Sequence, residues 1–351
     1  MGKARVLIVD DSAVVRSVLT SFLSQDPEVE VVGSAVDPYD ARDKIKLLKP
    51  DVLTLDVEMP RMDGITFLRN LMKLNPMPVV MLSSLTHKGA GVTLDALEIG
   101  AVDFIAKPTT GQSDEALKLF QLEVCEKVKT AASSAEKLKF RRTAPPVGQA
   151  NNSEMSKSVV HHRDSLIAIG ASTGGTEALR EVLSALPENM PPIIVTQHIP
   201  ASFSNRFATR LNEQCALTVQ EAKEGDVLRP GNVYIAPGSH HIRIRRHGHQ
   251  MVCSLDDGEP VNRHKPSVEV MFASVCELSP QHVTAVMLTG MGEDGSLMMR
   301  TLADAGAHTL VQDEATSLVW GMPGSAVKYG AAKEIVPLDK MASQLVSHLT
   351  R

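Results

Sequence analysis

Short runs of β-branched and other apolar residues alternate with longer segments of helical period over the first 130 residues. The predicted strands are 6–9, 29–35, 52–55, 79–82 and 102–105, and helical patterns such as 14–23 and 39–48 lie between them. Five short strands that alternate with helices predict a doubly wound parallel α/β sheet.

A second alternation of strands and helices begins near residue 165. Strands are predicted at 165–170, 192–197, 233–235, 283–288 and 308–311, with a helix at about 176–186. Apolar and polar residues alternate over 242–252 on both sides of a turn at His247-Gly248, which is typical of an antiparallel hairpin. The second half is therefore predicted to be a mostly parallel α/β sheet with one antiparallel hairpin.

The two alternating regions are separated by a segment of different composition. Residues 113–139 have a helical period, and 141–164 are rich in Pro, Ser, Asn and charge. We expect three parts: a domain over 1–130, a linker over 131–163 and a second domain over 164–351.

Composition excludes several classes of protein. The chain has 351 residues, a hydrophobic fraction of 43% and a formal net charge of −5, so it lacks the basic field of a nucleic-acid binder. Its four cysteines form no C-x-x-C pair, which argues against zinc or a disulfide framework. No signal peptide or membrane span is visible in the sequence. We expect a cytoplasmic protein without direct membrane insertion.

Polar residues follow the strands of the first domain. Asp10 and Asp11 follow the first strand, Asp56 the third, Ser83 the fourth and Lys107 the fifth. Because the carboxyl ends of parallel strands meet at one edge of a sheet, these side chains should converge there. Three carboxylates would repel one another unless a hard cation such as Mg²⁺ bridged them.

Asp56 is the best candidate for a nucleophile toward phosphorus, because it stands alone on its strand and faces the Asp10–Asp11 pair. Ser83 is placed to donate a hydrogen bond to a phosphoryl oxygen, and Lys107 is placed to pair with another. The alternative is that each acid is only a solvated turn residue. Five coordinated positions at the ends of successive strands favour the functional interpretation.

The motifs VDDS at 9–12, LDVEMPRMDG at 55–64, SS at 83–84 and KP at 107–108 together resemble a response-regulator receiver domain of flavodoxin-like fold. The resemblance implies that Asp56 accepts a phosphoryl group from a histidine kinase. It implies Asp10, Asp11, Asp56 and the backbone carbonyl of Glu58 as Mg²⁺ ligands. Phe104 falls at the aromatic switch position, where it lacks the hydroxyl of a tyrosine.

The loop GASTGG at 170–175 allows three interpretations. It fits a turn that exposes a serine nucleophile, a phosphate-binding loop, or a structural turn. A dinucleotide site would need an acid at the end of the next strand, where Gln197-His198 stands instead, and a Walker loop would need a lysine after Gly175. The serine interpretation is favoured, and the other two stay open on pattern alone.

A serine nucleophile needs a base and a group that orients the base. Ser172, His198 and Asp294 each follow the carboxyl end of an apolar strand, so the edge of the second sheet could bring them together. The helix that begins near Thr176 offers N–H groups for an oxyanion, and the TGMGEDG loop at 289–295 offers a second set, with that of Met291 well placed.

The second domain resembles the chemotaxis protein-glutamate methylesterase (CheB) family over about 164–340. The motifs are GASTGG, QHIP at 197–200, VYIAPGSHH at 233–241, PVNRHKPSVEV at 260–270, LTGMGEDG at 288–295 and WGMPGSA at 320–326. The resemblance implies Ser172 as nucleophile, His198 as base and Asp294 as orienter. Thr173 would lie near the nucleophile, and the Met291 N–H in the oxyanion hole.

The implied reaction is hydrolysis of glutamate γ-methyl esters on methyl-accepting chemotaxis receptors, activated by phosphorylation. Deamidation of receptor glutamines would use the same acyl-enzyme chemistry, and ester hydrolysis would need no cofactor. The alternative is a response regulator whose second domain only binds a partner. The presence of Ser172, His198 and Asp294 favours the enzyme.

Two histidine-containing stretches remain. His264 is a candidate for lining the substrate cleft, with a surface role as the alternative. The run HHIRIRRHGH at 240–249 fits an exposed hairpin better than a metal cluster or a nucleic-acid patch, because it has no interleaved aromatic residues.

Overall fold

A computed structural model describes residues 2–83, 87–107, 113–135 and 162–349, without the side chains of 87–90. Most of the expected linker at 131–163 lies outside the described residues, as do Ser84 and Pro108. The chain divides into two compact units, Met1–Thr143 and Ala144–Arg351. Across the described ranges, none of the helices combines the length and the apolar character that crossing a bilayer requires.

The first unit is a five-stranded parallel sheet with the order β2-β1-β3-β4-β5. This is the flavodoxin-like strand order, and it confirms the predicted fold of the first domain. Its elements are β1 (Ala4–Val9), α1 (Ala13–Ser24), β2 (Val29–Ala35), α2 (Pro38–Leu48), β3 (Val52–Asp56), α3 (Gly64–Leu74), β4 (Val79–Ser83), α4 (His87–Ile99), β5 (Asp103–Ala106) and α5 (Asp114–Ser133).

Short polar side chains start the helices of this unit. Ser12 accepts a hydrogen bond from the Val15 N–H at the start of α1, and Asp63 accepts one from Thr66 at the start of α3. Such caps satisfy N–H groups that have no partner within the helix. The fully buried strands β3 and β4 run through the middle of the core.

The second unit contains a seven-stranded parallel sheet with the order β14-β13-β12-β6-β7-β9-β8 and a separate two-stranded hairpin, β10-β11. The mostly parallel sheet with an antiparallel hairpin is confirmed. Its strands are β6 (Leu166–Ala171), β7 (Ile193–Gln197), β8 (Thr218–Glu221), β9 (Asn232–Ile235), β10 (His241–His247), β11 (Gln250–Asp256), β12 (Val283–Met287), β13 (His308–Gln312) and β14 (Glu334–Val336). Its helices are α6 (Gly175–Ser184), α7 (Ala201–Gln214), α8 (Val268–Cys276), α9 (Ser296–Asp304), α10 (Met322–Lys328) and α11 (Leu338–Leu349), with a 3₁₀ turn at Pro280–His282.

Strands β8 and β14 do not stand out in the sequence pattern. They have four and three residues and form the two edges of the large sheet. An edge strand is paired on one side only, so it needs neither the length nor the continuous apolar run of a central strand.

Each parallel sheet has a point near its middle at which the strand order reverses. In the first sheet this point lies between β1 and β3, and in the second between β6 and β12. Loops that leave neighbouring strands in opposite directions open a crevice there, where α/β proteins bind ligands. Asp10 and Asp56 flank the first crevice, and Ser172 and Asp294 flank the second.

Candidate functional site

Ser172 lies in a tight turn between the buried strand β6 and helix α6. The turn is closed by a 2.7 Å hydrogen bond from the Gly175 N–H to the Ser172 carbonyl, and Gly174 has a φ of 75°. The Ser172 N–H donates to the Thr289 carbonyl at 3.0 Å, which ties the turn to the loop after β12. A side chain at Gly290 would place its Cβ 2.9 Å from the Ser172 Cβ, so only glycine allows this approach.

The structure brings Ser172, His198 and Asp294 together in one chain of hydrogen bonds. His198 Nδ1 lies 3.1 Å from Ser172 Oγ, and His198 Nε2 lies 2.9 Å from Asp294 Oδ2. A carboxylate only accepts hydrogen bonds, so the imidazole must carry its proton on Nε2. Nδ1 is then left as the acceptor for the Ser172 hydroxyl. This is the arrangement that a serine nucleophile requires of its base and orienter.

Asp294 is 2% exposed and is surrounded by donors. Besides His198, its oxygens accept from Asn262 Nδ2 at 2.8 Å and Ser267 Oγ at 2.7 Å. They also accept from the Val268 and Glu269 N–H groups, at 2.7 and 3.3 Å, which belong to the first turn of α8. The positive end of that helix favours the charged carboxylate.

These contacts determine the protonation state of Asp294. Burial by itself would favour the neutral acid, but the hydrogen bond and positive charge of His198, with bonds from Asn262 and Ser267, lower the pKa of Asp294 to about 2. The group is therefore a carboxylate at neutral pH. It can hold the imidazole in place and stabilise an imidazolium without taking up a proton itself.

Gln197 is a site residue that the sequence interpretation missed. It is buried, and its Nε2 donates to the carbonyl of Ser172 at 3.0 Å and to that of His198 at 3.1 Å. One amide thus fixes the backbone on both sides of the Ser172–His198 bond. The sequence signal was the buried-strand position of a polar residue directly before His198.

Thr173 and Met291 lie beside Ser172. Thr173 is buried next to Ser172, and its carbonyl accepts from Thr289 Oγ1 at 3.0 Å. Met291 follows Gly290, whose N–H donates to the Val319 carbonyl at 3.1 Å, and precedes Gly292, which has a φ of 81°. The backbone around Met291 is thereby held at the side of Ser172 that Gly290 approaches.

His264 stacks on His198. Its ring lies 3.8 Å from the His198 ring between centroids, and the two planes are 13° apart. Asn262, the second site residue that sequence analysis missed, stands two positions earlier and contacts Asp294. Both belong to the stretch PVNRHKPSVEV, which carried part of the resemblance, but neither contact can be deduced from residue types alone.

The expected acidic cluster also forms in the first unit. Carboxylate oxygens of Asp10, Asp11 and Asp56 lie within 4.8 Å of one another. Lys107 Nζ lies 2.9 Å from Asp10 Oδ2 and 2.8 Å from Asp56 Oδ2. Oxygen ligands that converge from two adjacent loops match what Mg²⁺ takes in proteins, so the donor set fits this ion.

Burial raises the pKa of Asp56 to about 6, since the nearby Asp10 charge adds to it while Lys107 only partly offsets both. Burial alone would lower the pKa of Lys107, but its bonds and charge interactions with Asp56 and Asp10 raise it. Lys107 therefore remains a cation between two carboxylates.

The other expected residues of this cluster lie on β4, on β5 and directly after β3. Ser83 is buried at the end of β4, where its Oγ accepts from Thr93 Oγ1 of α4 at 2.7 Å. Glu58 is exposed two residues after Asp56, and its N–H donates to Asp56 Oδ1 at 3.4 Å. Phe104 is only 5% exposed, and Lys127 Nζ lies 5.3 Å from its ring centroid.

Comparison with known proteins matches both units. Residues 6–121 match the response regulator receiver domain family, and residues 167–345 match the CheB methylesterase family. A Xanthomonas campestris protein named protein-glutamate methylesterase/protein-glutamine glutaminase 1 is 54% identical over 346 residues, which cover 98% of this chain and 96% of that protein.

A Hydrogenovibrio crunogenus protein with the same name but no number is 48% identical over 374 residues, covering 99% of both chains. Among solved structures, the Thermotoga maritima CheB methylesterase catalytic domain is 34% identical, with a TM-score of 0.52, and covers 52% of this chain and 98% of that domain. Similarity therefore extends over both units and their order. The chain belongs to the CheB methylesterase family and carries a response regulator receiver domain ahead of the methylesterase domain.

Proposed function

We propose that this protein hydrolyses glutamate γ-methyl esters on receptor proteins through a Ser172 acyl-enzyme, and that phosphorylation of Asp56 raises this activity. The relatives' names state the activity of those proteins. The observation that carries the proposal to this chain is the continuous hydrogen-bonded path from Ser172 through His198 to Asp294.

In the acylation step, His198 Nδ1 takes the proton from Ser172 Oγ as the oxygen attacks the ester carbonyl carbon. Asp294 stabilises the resulting imidazolium through Nε2–H. Negative charge develops on the carbonyl oxygen, and the Met291 N–H with the first N–H groups of α6 would receive it. The tetrahedral intermediate then collapses, the imidazolium gives its proton to the leaving methoxide, and methanol departs.

Deacylation repeats these steps with water. His198 Nδ1 takes a proton from the water, the water oxygen attacks the acyl carbon, and the proton returns to Ser172 Oγ as glutamate is released. A glutamine side chain would form the same acyl-enzyme with ammonia as the leaving group. Glutamine deamidation by the same three residues is therefore included in the proposal, and neither reaction requires a cofactor at this site.

The receiver domain implies Mg²⁺ binding for phosphorylation, and Asp10, Asp11, Asp56 and the Glu58 carbonyl are the residues that would hold the ion. Mg²⁺ supplies positive charge against the phosphoryl oxygens. Lys107 would neutralise the carboxylates of Asp10 and Asp56, and the Ser83 hydroxyl, at the end of β4, would donate to a phosphoryl oxygen. Phe104, which has no hydroxyl group, would respond to phosphorylation through its packing alone. The phosphodonor is proposed to be a chemotaxis histidine kinase, in the cytoplasm.

The test is methanol release from a receptor that carries glutamate methyl esters, with and without a small phosphodonor. We expect release by the wild-type chain, a rise with phosphodonor, and loss of at least about 10⁴-fold in Ser172→Ala. Asp56→Ala should keep the basal rate and lose the rise. Ser184→Ala, at the far end of α6, is the matched control.

Two outcomes would contradict the proposal. Full activity in Ser172→Ala would exclude the acyl-enzyme. Receptor binding without methanol release by the wild-type chain would favour the second candidate, a response regulator whose second domain only binds its partner.

A further inference from the structure

We infer that His264 is a positioning residue for the base: an imidazole ring stacked on His198 that fixes its plane and, in its neutral form, favours the imidazolium formed during catalysis. The inference rests on the proposed function and deepens it. The sequence suggested His264 as a residue lining the substrate cleft. The geometry points instead to a role that acts through His198.

The first observation is the stack itself. The ring centroids are 3.8 Å apart with planes 13° from parallel, so His264 covers one face of the His198 ring. The edges of the His198 ring are occupied by Ser172 Oγ and Asp294 Oδ2. The His198 side chain is only 8% exposed. Contacts at two edges and one face leave the imidazole little freedom to rotate away from the Ser172 hydroxyl.

The second observation is the turn that holds His264. Val261 and His264 exchange two backbone hydrogen bonds, of 3.1 and 2.9 Å, around Asn262 and Arg263. Asn262 has a φ of 53° and Arg263 a φ of 68°, so both central residues of this 261–264 turn are left-handed. Type I′ turns have this pattern, and it is unfavourable for a residue such as arginine. Backbone strain of this kind is concentrated at functional sites.

The 261–264 turn contacts both Asp294 and His198. Asn262 Nδ2 donates to Asp294 Oδ1 at 2.8 Å, while His264 stacks on His198 two residues later. One rigid turn therefore sets the position of Asp294 relative to that of His198. A turn that only connected β11 to α8 would not need a strained arginine to reach both residues.

The charge of His264 matters because His198 gains a proton when Ser172 attacks. A neutral aromatic ring against the face of an imidazolium is attractive, whereas a cation at the same place would repel it. Among the titratable groups near the base, Asp294 accepts from His198 Nε2, Glu269 of α8 interacts electrostatically with Asp294 and Glu293, and His241 of β10 accepts the Ser267 N–H. Arg263 and Lys265 flank His264 itself, and Lys265 Nζ pairs with Asp257 at 2.9 Å.

Three substitutions at His264 distinguish the effect of the aromatic ring, the effect of a positive charge and a role in the substrate cleft. His264→Phe keeps a flat neutral ring, His264→Ala removes it, and His264→Arg replaces it with a planar cation that stacks on imidazole. We expect kcat within about 3-fold of wild type for Phe, about 10-fold lower for Ala and about 100-fold lower for Arg, with KM nearly unchanged.

The pH dependence gives a readout that a purely structural role would not move. A fixed cation opposes protonation of His198, so the acid limb of the pH–rate profile should shift about one pH unit lower in His264→Arg than in His264→Phe. The same shift should appear without substrate, in the pH at which the His198 ring resonances move in NMR spectra of the full-length chain. Equal midpoints for these two variants would overturn the inference.

Two further results would also overturn it. A raised KM with unchanged kcat would make His264 a cleft residue, and equal loss in Phe and Ala would show that the ring does not matter. If the wild-type chain released no methanol but the NMR midpoints still differed, the proposed function would fail while the stacked role of His264 stood. If methanol were released but the NMR midpoints of the two variants agreed, the role of His264 would fail while the proposed function stood.

Discussion

Two buried aspartates, one at the crevice of each sheet, have pKa values that are shifted in opposite directions. Asp56 lies at the crevice of the first sheet and Asp294 at that of the second, and both are nearly inaccessible to solvent. The pKa of Asp56 is raised to about 6, and that of Asp294 is lowered to about 2. Burial favours the neutral form in both places, so burial cannot account for the difference.

The difference comes from the neighbours of each carboxylate. Asp294 accepts five hydrogen bonds, two of them from the first turn of α8, and faces His198. Asp56 faces a second carboxylate, Asp10, and shares Lys107 with it. Both oxygens of Asp294 thus accept hydrogen bonds from donors of the protein, while Asp56 shares the positive charge of Lys107 with Asp10. Under the proposed function, Asp294 would orient His198 and Asp56 would accept the phosphoryl group.

The largest expected effect on ester hydrolysis follows from a change at Asp294. Asp294→Asn removes the charge and the acceptor for His198 Nε2–H, so the imidazole loses the tautomer that leaves Nδ1 free to take the proton of Ser172. We expect kcat for ester hydrolysis to fall by about 10⁴-fold. The rate of methanol release measures this, with Asp304→Asn at the exposed end of α9 as control. A loss below tenfold in a folded variant would contradict the role of Asp294.

The next effect concerns stability around Asp56. An aspartate with a pKa near 6 when folded and about 3.9 when unfolded binds protons more tightly in the folded state. Stability should therefore fall as pH rises from about 4 to about 6, by roughly 2 kcal/mol without divalent cations. Thermal denaturation in chelator should show this slope in the wild-type chain and a flatter one in Asp56→Asn. Identical slopes in the two chains would show that Asp56 does not cause this pH dependence of stability.

A smaller effect should follow from removing one donor to Asp294. Asn262→Ala takes away the 2.8 Å bond to Oδ1 and leaves the other four. A hydrogen bond to a charged group contributes about 1.5–3 kcal/mol, so we expect kcat to drop about 10-fold. Asn232→Ala is the matched control, because Asn232 Nδ2 donates to the nearby Pro230 carbonyl. Wild-type kcat in Asn262→Ala would mean that four donors suffice.

The smallest effect is expected from the hydrogen bond between the Thr93 and Ser83 hydroxyls. Thr93 Oγ1 donates to Ser83 Oγ at 2.7 Å inside the first unit, which links α4 to the end of β4. Thr93→Val removes this bond, worth about 1 kcal/mol, and should change the stimulation by phosphodonor by about 5-fold. The basal rate of methanol release should not change. A variant with unaltered stimulation would show that the bond does not affect the response to phosphorylation.

The sequence predicts most of the fold because the central strands are continuous apolar runs between helical periods. It places Ser172, His198 and Asp294 on one edge because each follows such a strand. It does not reveal β8 or β14, since short edge strands carry little apolar signal. It could not reveal the contacts of Asn262 and His264, because they depend on a left-handed arginine, and no residue pattern predicts one there.

The most direct test of the central claim is the mass of the chain after acid quench during hydrolysis of a peptide that carries a glutamate methyl ester. We expect a covalent adduct equal to the peptide minus methanol, located on Ser172 by fragmentation and absent from Ser172→Ala. Rapid hydrolysis with no adduct in the wild-type chain, together with undiminished hydrolysis by Ser172→Ala, would contradict the account.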